Sequence, residues 1–116
     1  MSAYKISSFS KKEISELFAH AKAVKKSQEL VILTTPALLC PYGKILLITS
    51  RKVGNAPERN LLRRRSKAIF YEARLFEKPI NLALIFRPPA TKLSFEQLKA
   101  IILQAHHKGC QAHGIF

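Results

Sequence analysis

The chain has 116 residues, 47% of them hydrophobic, which suits one domain with a real core and excludes a disordered basic tail. Lys and Arg number 20 against 7 acidic residues, a formal charge of +13 that strains a small fold and calls for a polyanionic partner. Every acid is Glu; with no Asp, a protein-only nuclease built on carboxylates clustered around two metal ions is disfavoured.

In chain order, the first predicted element is a helix after Ser10. Glu13 stands in the capping-box position, and Ile14, Leu17, Phe18, Ala21 and Val24 recur at helical spacing until the basic pair Lys25-Lys26. Residues 30–35 and 44–51 read as strands, joined through the turn residues Pro41 and Gly43. A long helix is expected from Asn55, with Glu58 in the box and Pro57 in the first turn, to about Phe76. Residues 80–86 are nearly all apolar, hence a central strand covered on both faces, stopped by Arg87-Pro88-Pro89. The last helix opens at Ser94 with Gln97 in the box and Phe95, Leu98, Ile101, Ile102 and Ala105 on one face. The expectation is a two-layer α/β (α+β) sandwich of order α-β-β-α-β-α. Its small mixed sheet has a parallel pair across the 44–86 crossover, and an antiparallel pairing of the first two strands is open. One domain spans residues 1–116, with a core over about 9–105 and a polar tail over about 106–116.

The informative stretch runs from Arg51 to Lys67. At helical spacing Arg59, Arg63 and Lys67 rise along one stripe with Asn60 and Arg64 beside it, while Leu62, Ile69, Ala73 and Phe76 point to the sheet. Only Glu58 breaks the sign of this run, so salt-bridge lacing does not explain it. Fixed cations opposite an apolar face suit phosphates, and Arg adds planar, multi-donor geometry. A membrane surface is a poorer partner, because the apolar face is needed for the core.

Ser50-Arg51-Lys52-Val53-Gly54-Asn55-Ala56, followed by Arg59-Asn60 and Arg63-Arg64, resembles the motif of the bacterial ribonuclease P protein subunit. The resemblance extends from about Phe9 to Ala105, through Leu17-Phe18, the third strand ending in Arg87-Pro88, and Leu93 to Leu98. It implies a ribosomal-protein-like fold with a left-handed βαβ crossover. It also implies an accessory subunit, with no catalytic side chain of its own, of an endoribonuclease that removes 5′ leaders from precursor tRNA. The implied partners are a catalytic RNA subunit, which holds the magnesium and performs the hydrolysis, and precursor tRNA; no small-molecule substrate is implied. By position, Lys44, Arg51, Lys52, Arg59, Asn60, Arg63, Arg64 and Lys67 match RNA-binding positions, and Phe18 matches a leader-cleft aromatic, with a plain core Phe as the other reading. The chain departs from the family pattern at Ile14, Leu46, the Pro57-Glu58 pair, Arg65 and Ala68. The alternative function is a general ribosomal-type RNA-binding module with no part in cleavage.

His106, His107, Cys110 and His113 are of metal-ligating type, but their spacing matches no structural-zinc pattern and no metal site is expected. Cys40 has no basic partner in sequence that would activate it as a nucleophile. Tyr4, Tyr42 and Tyr71 suit either base stacking or the edge of a core. Two cysteines and an opening without an apolar stretch fit a soluble, cytoplasmic protein.

Overall fold

The computed structural model describes residues 6–7, 9–37 and 41–115; Tyr4 and Cys40 lie outside them. The elements run α1 (Lys11–His20), β1 (Lys22–Lys26), β2 (Leu30–Pro36), β3 (Ile45–Ile48), α2 (Ala56–Glu72), β4 (Ile80–Phe86) and α3 (Phe95–Ala112). All three expected capping boxes are formed: Ser10 with Glu13, Asn55 with Glu58 and Ser94 with Gln97. Each side-chain oxygen accepts from the N3 amide, typically worth about 1 kcal/mol per helix start.

The sheet order is β1-β2-β4-β3, with β2 antiparallel to β1 and β4, and β3 parallel to β4. β4 is central, as its apolar run requires, and it lies between the two strands whose direct pairing the sequence left open. The order therefore has one more strand than expected. Helix α1 ends at His20, Ala21 is extended, and Lys22–Lys26 pairs with Val31–Thr34 of β2. Ala21 and Val24 do continue the helical spacing. Pairing nevertheless wins, because without β1 the apolar strand β2 would present a bare edge; a strand carrying three lysines blunts that edge instead.

Two further boundaries move. The segment after β3 becomes a 3₁₀ turn at Arg51–Val53 rather than strand, and α2 stops at Glu72 rather than Phe76. Arg74 takes a left-handed conformation (φ 54°), and a 3₁₀ turn at Leu75–Glu77 lets Phe76 drop into the core before Pro79 opens β4. Ala73, expected on the core face, is exposed, and Ser66 is buried instead, its hydroxyl donating to the Leu62 carbonyl. At the C-terminus the polar tail expected from 106 is helix up to Ala112. Gly109 is the reason: a Cβ there would come within 2.7 Å of Thr34 Cγ2, so its missing side chain marks where α3 lies closest to β2.

Register divides the sheet into two faces. Leu30, Ile32, Ile45, Leu82, Leu84 and Phe86 pack with Leu62, Ile69 and Phe70 of α2 and Leu98 and Ile102 of α3. The opposite face carries Leu33, Thr35, Leu46, Ile48, Asn81, Ala83 and Ile85. Leu17 of α1, fully buried, covers its Thr35–Asn81 end, while Leu33, Leu46, Ile48 and Ile85 remain half-buried.

Candidate nucleic-acid interface

The cations of helix α2 and of the turn before it fall into an exposed and a half-buried set, Arg65 belonging to the second. Asn60, Arg64 and Lys67 are exposed and follow one another at i, i+4 and i+7. Arg51 and Lys52 are exposed on the turn leading into the helix. Arg59 and Arg63 are half-buried, flanking the core face beside Leu62, Ser66 and Phe70, which corrects the single stripe expected from spacing. Arg63 is held from two sides: Nη1 donates to Asn60 Oδ1 at 2.8 Å and Nη2 to Thr49 Oγ1 just after β3. Thr49, absent from the sequence reading, thus fixes the angle at which this guanidinium leaves the helix. Arg59 Nε is buried without a hydrogen-bond partner. Arg63 and Lys67 also overhang the outer edge of β3, lining a groove with Ser7, Ile45, Leu46 and Leu47. Among the described residues no ion pair engages any cation of α2.

Lys44 is placed otherwise. Its side chain is 8% exposed, and Nζ donates to both Glu13 carboxylate oxygens, at 2.8 and 3.0 Å, near the rings of Phe9 and Tyr42. Its ammonium ties β3 to α1, a structural role that the sequence reading of Lys44 as an RNA-binding position did not include. Burial alone would raise the Glu13 carboxyl. The hydrogen bonds from Lys44 and Ser10, with the Lys44 charge, outweigh it and hold the pKa below the ordinary carboxylate value. Glu13, seen in sequence only as a cap, does both jobs.

Between α1 and the sheet lies a groove lined by Glu13, Glu16, Leu17, His20, Thr35, Pro36 and Asn81. Leu17 fills its contact with the sheet. Phe18 points out, 48% exposed, which removes its reading as a plain core Phe. Beyond α1 the half-buried Leu33, Leu46, Ile48 and Ile85 continue as an apolar floor, and Leu46 supplies bulk there.

The C-terminal histidines do not converge. His106 packs edge-on to Phe70 and lies 3.9 Å from the Cys110 thiol; His113 bonds Thr34, and His107 is exposed. Among the described residues no three His, Cys, Asp or Glu side chains come together to hold a metal ion. Burial lowers the His106 pKa and raises that of Cys110.

Comparison with known proteins agrees with this geometry. A family model described as Ribonuclease P matches residues 9–108. The Ribonuclease P protein component of Phytoplasma australiense is 35% identical over 91 residues, spanning 75% of this chain and 76% of that protein. The protein of the same description from Onion yellows phytoplasma (strain OY-M) is 35% identical over 65 residues, 55% of this chain and 46% of that protein. In structure, the RNase P protein of Staphylococcus aureus superposes with a TM-score of 0.74 at 16% identity, covering 88% of this chain and 93% of that one. The Thermotoga maritima RNase P protein gives 0.66 at 20% identity, covering 80% and 87%. With the family matched across nearly its whole length and the fold shared, this chain belongs to the ribonuclease P protein component family.

Proposed function

We propose that the chain binds the catalytic RNA of ribonuclease P through α2 and its leading turn, and holds the 5′ leader of precursor tRNA on the half-covered sheet face beside Phe18. The observation that carries the reading is the exposed series Asn60, Arg64 and Lys67, with Arg51 and Lys52, left without acidic partners among the described residues. Phosphates seated there release counterions, which makes affinity strongly salt-dependent and lowers the repulsion between two polyanions brought together. Asn60, its carbonyl occupied by Arg63, keeps its amide donors for sugar, base or phosphate. Magnesium, held by the RNA, supplies the hydrolytic chemistry; the protein positions substrate and selects precursor over mature tRNA. In this reading the work is cytoplasmic. Reconstitution tests it: at low magnesium, cleavage of precursor tRNA by the catalytic RNA should depend on the protein, and precursor should bind more tightly than mature tRNA only when the protein is present. Equal binding of the two, with no effect on cleavage, would reduce the chain to a general RNA-binding module.

A further inference from the structure

The exposed series on α2 does not end at Lys67. Four residues on stands Tyr71, 42% exposed, one of two large hydrophobic side chains that the described residues leave exposed. Eleven positions from Asn60 to Tyr71 are close to three helical turns, so Tyr71 continues the line of Asn60, Arg64 and Lys67 about 16 Å along the helix. Its ring is not loose. It stacks on the buried Phe76 with centroids 5.5 Å apart and planes 27° from parallel, so one face is covered while the residue as a whole stays 42% exposed.

Arg74 completes the arrangement. It is the one non-glycine residue with positive φ among the described residues, at a helix end where glycine is the usual occupant. That conformation is unfavourable for a side chain of this kind. It brings the guanidinium 5.6 Å from the centroid of the Phe76 ring on which Tyr71 stacks, while Nη2 donates to Glu77 at 2.9 Å. The Glu77 carboxylate is thereby paired with Arg74.

Resting on the reading of α2 as an RNA-binding helix, we propose that Tyr71, backed by Phe76 and flanked by Arg74, is a stacking platform for an unpaired nucleobase of the RNA seated on α2. A π-face accepts any base, so the site adds affinity without strict sequence choice. The competing role, a lid over Phe76, is met by an aliphatic side chain as well; stacking is not.

The chain contains no Trp, so Tyr71→Trp installs a single indole reporter. Titrating the full-length Tyr71→Trp protein with the cognate catalytic RNA should quench that emission. Tyr71→Leu, which still covers Phe76, should keep the melting temperature but bind that RNA at least about fivefold more weakly. Its salt-dependence slope should be unchanged, because no charge is lost. Tyr71→Phe should bind as wild type. Wild-type affinity in Tyr71→Leu, or an unquenched indole in a bound complex, overturns the stacking site while leaving RNA binding by α2 intact. Wild-type protein that fails to bind the RNA removes the broader reading and this one with it.

Discussion

Replacing Lys44 separates a structural cation from an RNA-contacting one. By position in the sequence it is expected among the RNA-binding residues, yet its ammonium and the Glu13 carboxylate are 8% and 11% exposed and joined by two short hydrogen bonds. Removing one member of a buried pair costs about 3–5 kcal/mol, because the other charge is stranded. In Lys44→Met the carboxylate keeps its bond from the Ser10 amide and lies near the surface, so about 2 kcal/mol is the better figure. For a chain of this size that is a fall of about 8 °C in melting temperature. Glu13→Gln is the matched partner, since Gln also serves in a capping box and the helix start is retained. The double variant should lose less than the sum of the singles, as no charge is then stranded.

The pH dependence has a definite sign. Glu13 has a folded pKa below its unfolded value near 4.5, so its stabilisation is complete above that pH and is lost as pH falls through the folded value. The Lys44→Met protein should lack this acid-side loss. The assay is thermal melting across pH, alongside RNA titration at several salt concentrations. A Lys44→Met variant that melts as wild type but loses affinity, with a salt slope smaller by about one unit, would show that Lys44 meets a phosphate and that the pair with Glu13 is incidental.

Three other outcomes are expected. Leu62→Ala, on the buried side of α2, should cost about 2–5 kcal/mol in a denaturant melt, whereas Arg64→Ala should change stability by less than about 0.5 kcal/mol and lower RNA affinity instead. Gly109→Ala gains about 1 kcal/mol of helix propensity but drives a Cβ into Thr34 and Ile80; overpacking of about 1–3 kcal/mol should win, visible as a lower denaturation midpoint. His106, whose pKa is lowered first by burial and further by Lys78 and His107, favours folding while neutral, so melting temperature should drop as pH falls below about 6.5, and His106→Leu should flatten that part of the profile.

What the sequence disclosed was local. Three capping boxes are i, i+3 relations, and β4 declares itself by an unbroken apolar run, so both are legible without tertiary information. Strand β1 is not. Ala21 and Val24 mimic the next helical turn, and only pairing with β2, whose partner residues lie up to twelve positions away, makes the extended form the better one. The Lys44–Glu13 pair spans 31 positions and leaves no mark on local pattern. On α2 the sequence marks the charge but not which cations are half-buried. Arg59 and Arg63 share a side with Leu62, Ser66 and Phe70, and a face narrowed by Ser66 leaves room for their stems to lie along it.

The charge surplus has a structural address. Among the described residues Glu13 answers Lys44, Glu16 faces His20, Glu58 caps α2 through Asn55 and Glu77 answers Arg74; none is spent on the α2 cations. Arg63 and Arg64 therefore face Lys67 at i+4 and i+3 with nothing between them, each like-charge pair costing about 0.2–0.5 kcal/mol in low salt. Lys67→Glu turns both repulsions into attractions. The free protein should gain about 1 kcal/mol in melts at low ionic strength, and the gain should shrink as salt screens the pairs. With α2 as the proposed RNA-binding helix, the same change replaces a cation by a carboxylate where a phosphate would sit, so RNA affinity should fall as stability rises. A fold selected for its own stability would not leave that gain unused; one selected to hold a polyanion must. If Lys67→Glu binds RNA as wild type does, the exposed face of α2 is not the interface, and its charge has some other cause.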